Sequence, residues 1–205
     1  VGTVNTKETT KDEIVKMIEL DLKSIDAIAL AAGPGSFTGL RIGSATAKGL
    51  GFALEKPLIE IPTVDALAYN LYGTDRVICP LMDARRNQVY TGIYEFCGGS
   101  LHVLEPQMAA GIEVIAGKLR ALGREVIFLG DGVPVFRKRL EEELMAGETF
   151  SFAPAHLNKQ RAGAVGALAL QYLKEGKTVS AAEHRPVYLR LSQAERERLE
   201  KEKNT

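Results

Sequence analysis

The stretch Asp26–Arg41, DAIALAAGPGSFTGLR, decides the fold. Its opening run Asp26–Ala32 is short and apolar and ends at Gly33-Pro34-Gly35, which reads as a buried strand leaving into a tight turn. Phe37–Leu54 then reads as a helix and Pro57–Ile61 as a second buried strand. Thr63 is placed to cap a further helix running through Tyr72, with Asp65 in its first turn. Strand, glycine turn, helix and strand in this order mean α/β layers.

Working outward, Val1–Thr6 alternates loosely as an edge strand, and Lys11–Leu22 is expected to be helical, with Ile14, Ile18 and Leu22 four apart. Gly73-Thr74-Asp75 breaks the pattern and divides the chain into subdomains at 1–73 and 74–191. Val77–Asp83 and Gln88–Phe96 form a hairpin turning at Arg85, with Leu101–Glu105 as a third strand. Ile112–Leu122 is a helix and Glu125–Leu129 a strand. Gly130-Asp131-Gly132 then turns into a helix over Val135–Met145, and another helix covers Ala162–Lys174. Pro186–Leu191 reads as a short docking strand, and 192–205 as a charged helical tail.

The composition narrows the function classes. The chain has 205 residues, enough to bury roughly 70% of its unfolded surface without a disulfide or metal staple. Its 26 basic residues balance 26 acidic ones, so no global positive field draws it onto nucleic acid. The longest weakly charged stretch, Ile42–Leu54, contains Lys48 and is too short and glycine-rich to span a bilayer. No signal peptide is visible, and Cys79 and Cys97 read as free thiols in a reducing cytoplasm.

The helix after the glycine turn carries most of the information. Gly35, Gly39, Gly43, Ala47 and Gly51 recur every four residues. An interior glycine costs about 1 kcal/mol relative to alanine, so the stripe needs a reason. A side-chain-free stripe lets another backbone approach closely: a neighbouring element of the same domain, another subunit, or a ligand. As an interface the set is Gly35, Phe37, Gly39, Leu40, Gly43, Ala47, Leu50 and Gly51.

Other chemistry has less support. Gly33, Gly35 and Gly39 suggest a dinucleotide fingerprint, but the spacing G-x-G-x-x-x-G is one residue too long and Glu60 falls inside the next strand. No Gly-Lys-Ser/Thr follows, which excludes a Walker A loop. His102, His156 and His184 form no H-x-x-x-H or H-E-x-x-H pair and read as surface or loop histidines, so no metal site is expected. Asp83 reads as closing a turn beside solvated Arg85 and Arg86. Gly130, Asp131 and Gly132 either face a nucleotide-like cleft or simply turn a strand into a helix.

The blocks AAGPGSFTGLRIGSATAKGLGFAL (31–54), P-x-x-x-I-P-T-V-D-A-L-A (57–68), MDARRNQVYTGIYEF (82–96), LGDG (129–132) and PVYLRLSQAE (186–195) resemble, in order, the bacterial TsaB (YeaZ) family of tRNA threonylcarbamoyladenosine biosynthesis proteins. That resemblance implies an actin-like (ASKHA) fold of two α/β subdomains within the glycoprotease-like superfamily. The family opens with a β-hairpin carrying an Asp-Thr-Ser type motif, which this sequence lacks; Val1–Thr6 corresponds to the strand after it. The implied role is a cytoplasmic, non-catalytic scaffold, dimeric when alone. It would support a catalytic TsaD-type paralogue and a small TsaE-type ATPase in forming N6-threonylcarbamoyladenosine beside the anticodon of tRNAs reading ANN codons. ATP is used by the complex, tRNA is met only through it, and no cofactor is assigned to this chain. The rival expectations are a metallopeptidase of the glycoprotease type and a dinucleotide-dependent enzyme.

Overall fold

Two sheets organise the protein. The computed structural model describes residues 11–190, so the expected strand at Val1–Thr6 and the tail at 192–205 lie outside the described residues. Strands β1 (Ile28–Gly33) and β2 (Leu58–Pro62) pair in parallel, Ala29 opposite Ile59 and Ala31 opposite Ile61. Helix α2 (Phe37–Leu54) connects them. The second sheet has the order β5-β4-β3-β6-β7, from β3 (Val77–Asp83), β4 (Gln88–Cys97), β5 (Ser100–Gly111), β6 (Val126–Leu129) and β7 (Phe150–Phe152). Its first three strands are an antiparallel meander, and β6 and β7 add in parallel.

Burial follows from this layering. Helices α4 (Ile112–Leu122) and α5 (Val133–Arg139) cover one face of the larger sheet, with Ile115, Leu119, Phe136, Cys79 and Phe128 in a common cluster. On the other face, α3 (Thr63–Ala68) and α6 (Ala162–Lys174) supply Leu67 and Leu168 to a cluster that also holds Ile59, Ile61, Ile78 and Leu129. That cluster draws residues from both sheets. Buried on both faces, β3 and β6 are nearly continuous apolar runs.

Within the shared cluster sits one buried carboxyl. Asp65 is 4% exposed, and the hydroxyls of Tyr94 and Tyr172 donate to its two oxygens at 2.8 and 3.3 Å. The network joins α3, β4 and α6. Gly92, at a bulge in β4, makes room for it, because a Cβ there would lie 2.5 Å from the Tyr94 hydroxyl. Burial pushes the Asp65 carboxyl above its ordinary value, against the opposing pull of the two hydroxyls.

Several expectations require correction. Helix α1 stops at Met17 and not at Leu22, because Glu19 turns left-handed (φ 49°) and Leu20 N–H bonds back to Val15. The Asp21 carboxylate then accepts from Lys23 N–H at 2.9 Å and starts a separate short turn. Thr63 does not cap α3: it is the first helical residue, and its hydroxyl has no partner. Strand β5 continues past Glu105 through Pro106 to Gly111; as an edge strand it tolerates the missing proline N–H. Helix α5 starts at Val133, and β7 was not expected. The segment from Pro186 forms no regular strand among the described residues and bends at 189–190.

Asp65 makes stability pH-dependent with a definite sign. A carboxyl whose folded value is raised contributes stability that is complete below its ordinary 3.8 and is lost as pH rises through the folded value. Urea midpoints should therefore show the wild type losing ground to Asp65→Asn across a pH range that starts at the ordinary 3.8 and runs upward. A constant difference across that range would contradict the raised value.

Candidate functional site: the outer face of helix α2 and the strap beneath it

Helix α2 is well delimited. The Ser36 hydroxyl accepts from Gly39 N–H at 3.4 Å, and Glu55 closes the C-terminus in the left-handed conformation, returning its N–H to Gly51 and Phe52. Leu40, Ser44, Ala47 and Gly51 point inward. They rest on β1 and β2 and on an extended strap, residues 177–190.

The strap is tied down along its length. Val179 and Leu58 exchange backbone hydrogen bonds at 2.9 Å, and Val187 N–H donates to Ala32 at 2.7 Å. Between them, His184 is 1% exposed, with Nδ1 2.5 Å from a Glu60 oxygen and Nε2 2.8 Å from the Ser44 hydroxyl. Lys48 Nζ donates to the carbonyls of Ala182 and His184 at 3.3 and 3.2 Å. Ser–His–Glu is also the order of a hydrolytic triad. Here Ser44 is only 5% exposed on the inner face of its helix, which leaves no room for a substrate carbonyl. The chain of bonds is a clasp.

Close approach explains two glycines. A Cβ on Gly33 (φ 123°) would lie 2.2 Å from the Val187 carbonyl, so the strap crosses directly over the end of β1. A Cβ on Gly51 would meet Ala181 at 3.0 Å and Leu58 at 3.1 Å.

The outer face differs in character. Gly39, Ile42, Gly43, Ala45, Gly49, Phe52 and Ala53 are exposed, with Ile42 at 63% and Phe52 at 62%. A Cβ on Gly43 or Gly49 would touch nothing within 4 Å. At the N-terminal end Phe37 is exposed and packs against Tyr188 of the strap, ring centroids 5.3 Å apart.

The expected interface set therefore divides. Gly35, Phe37, Gly39 and Gly43 are on the surface, and Leu50 is half-buried. Leu40, Ala47 and Gly51 are buried inside the subunit and cannot line a docking surface. A four-residue period overshoots the helical turn by about 40° per step, so the stripe winds from the outer face to the inner one.

Elsewhere the structure assigns other roles to residues singled out in the sequence. Gly130 and Gly132 let their turn lie on β3: a Cβ on either would fall 2.1 or 2.8 Å from the Leu81 carbonyl. The Asp131 carboxylate accepts from Asp83 N–H at 3.1 Å, and Asp83 in turn holds Arg85 through its N–H and guanidinium. His102 and His156 are exposed, whereas His184 is buried, against expectation. Its signal was the polar pair Ser44 and Lys48 on the inner side of an otherwise apolar helix. Burial pushes the Cys79 thiol up to about 12, and Cys97 is exposed. Among the described residues no three His, Cys, Asp or Glu side chains group to hold a metal, and no helix is long and apolar enough to cross a membrane. Near α5, Arg124 pairs with Glu95, Arg137 with Glu141, and Arg139 with Glu113 and Glu143, whereas the exposed Arg120 of α4 joins no ion pair among the described residues.

A family model described as TsaD, tRNA N6-adenosine threonylcarbamoyltransferase, matches residues 8–198. The chain is 33% identical over 184 residues to the tRNA threonylcarbamoyladenosine biosynthesis protein TsaB of Bacillus subtilis (strain 168), covering 88% of this chain and 76% of that protein. The chain belongs to the TsaB family. The TsaB of Escherichia coli (strain K12) is likewise 33% identical over 176 residues, covering 82% of this chain and 72% of its own length. Among solved structures, YeaZ from Pseudomonas aeruginosa superposes with a TM-score of 0.74 at 27% identity, over 87% of this chain and 80% of that one. The α/β fold is that of YeaZ, the actin-like type the TsaB resemblance implied.

The two ends of the stripe should respond oppositely to bulk. Gly43→Leu should leave the denaturation midpoint close to wild type. Gly51→Leu should lose ~1–3 kcal/mol or more by overpacking against Ala181 and Leu58. Equal losses at both positions would show that the outer face is packed within the subunit.

Proposed function

We propose that this chain is a non-catalytic subunit in tRNA threonylcarbamoyladenosine biosynthesis, docking the outer face of α2 onto a catalytic TsaD-type paralogue. The observation that carries this reading is the face itself. It is exposed, it combines small residues with Ile42 and Phe52, and the helix has no acidic residue from Phe37 to Leu54. Open glycines allow a partner backbone to come close, and the large apolar side chains provide area that association removes from water. The printed names of the TsaB relatives support the process, and the TsaD description of the family model supports the partner.

In this reading the 1–73 subdomain carries the docking helix, with 74–191 as the second subdomain. A paralogue with the same fold can present an equivalent helix, and so can an identical copy, which gives a homodimer when the chain is alone. A small TsaE-type ATPase joins the pair, ATP is consumed by the complex, and the setting is the cytoplasm. Arg124, Arg137 and Arg139 are engaged by carboxylates, which weakens that region as a phosphate site, and in this reading tRNA is held mainly through the assembled complex.

Sedimentation of the chain mixed with its paralogue tests this directly. Gly43→Leu, folded by circular dichroism, should weaken that association by about tenfold or more, because blocking close approach costs ~1–3 kcal/mol. Wild-type affinity in the folded variant would place the contact elsewhere. The isolated chain should also show no peptidase activity; activity that follows the pure protein and disappears with a chelator would overturn the non-catalytic assignment.

A further inference from the structure

The two cations of α2 are used differently. Lys48 is turned inward onto the strap carbonyls. Arg41 is exposed, its guanidinium carbon 4.0 Å from the centre of the Phe37 ring, which is itself backed by Tyr188. Phe37 thus contacts both Arg41 and Tyr188 at the N-terminal end of the docking face. Arg76, Arg85, Arg124, Arg137 and Arg139 each lie 2.7–3.1 Å from a carboxylate, whereas Arg41, like Arg86, Arg120, Arg161, Arg185 and Arg190, joins no ion pair among the described residues; of these, Arg41 is the one carried by α2. Stacking on an aromatic ring restrains the long side chain while leaving its planar donors free, so little freedom remains to be lost when a carboxylate arrives.

Resting on the docking reading above, we infer that Arg41 is the specificity-determining residue of this face. The surface it receives is an apolar patch of a protein partner with a carboxylate opposite Arg41, and not a second copy of this chain. Two identical copies meeting through α2 would each offer the other the same surface. That helix carries Arg41 and Lys48 and no carboxylate, so Arg41 finds no complement on the α2 of its twin. The nearest acid along the chain is Glu55, past the helix end, with its backbone fixed left-handed. Charge complementarity therefore favours the heteromeric pair and leaves the self-pair the weaker of the two.

The test uses the full chain with its paralogue, comparing wild type with Arg41→Lys, Arg41→Ala and Arg41→Glu. All are surface changes, with circular dichroism as the folding control. Paralogue affinity should fall ~10-fold for Arg41→Ala and ~100-fold or more for Arg41→Glu, where like charges face each other. Arg41→Lys should recover only part of the loss, since it keeps the charge but loses the planar fork. Self-association of Arg41→Glu should be unchanged or stronger. Changing the facing acid of the paralogue to lysine should restore binding to Arg41→Glu and not to wild type. If Arg41→Glu binds the paralogue as wild type does, this inference fails while the docking reading stands. An equal loss in self-association would make the second copy the occupant of the Arg41 site, through Glu55. A wild-type chain that does not bind the paralogue would remove the docking reading and this inference together.

Discussion

The close seating of α2 on the strap is the constraint from which the exposed outer face of that helix follows. Gly51 lies so near Ala181 and Leu58 that one methyl group would force them apart, and Ser44 reaches the buried ring of His184 directly. Held on that side by contacts, by the Ser44–His184 bond and by the Lys48 bonds to the strap carbonyls, the helix presents a fixed outer surface. A docking surface loses least on association when it is ordered beforehand. The strap also supplies Tyr188, whose ring packs against Phe37, the ring that Arg41 covers. A segment more than a hundred residues away in sequence therefore shapes both faces of the helix.

A second buried polar device works between the sheets. Asp65, Tyr94 and Tyr172 come from a helix beside the small sheet, a strand of the large one and a helix packed on both. An apolar contact alone tolerates sliding, whereas two hydroxyls converging on one carboxyl fix a single relative placement. The cost is a carboxyl held in an environment that disfavours its charge. Gly92 serves that geometry, and its reason is visible only beside the Tyr94 hydroxyl.

The helices whose signals are local were legible. Phe37–Leu54, Ile112–Leu122 and Ala162–Lys174 form with the boundaries that periodicity and flanking residues indicate. Signals failed where tertiary contacts override local pattern. Three residues of β7 are too few to show alternation, and they become a strand only because β6 offers an edge. The Ile14, Ile18, Leu22 spacing suggested one helix, but the left-handed turn at Glu19 and the Asp21 carboxylate bond divide it. In the candidate site, the glycine stripe was visible as a pattern but its sidedness was not. His184 looked like any loop histidine because its partners, Ser44 and Glu60, are more than 120 residues away.

By itself the sequence determined the layered class, the long glycine-bearing helix, the family to which its ordered motifs belong, and the balance of charge. Each of these is written in local pattern, composition or motif order. Only the tertiary structure decided which glycines face solvent and which face the strap, that His184 is a clasp, and that Arg41 lies over the Phe37 ring with no ion pair among the described residues. Those outcomes depend on which distant backbone arrives at the helix. A one-dimensional period specifies a face of the helix and not what will cover it.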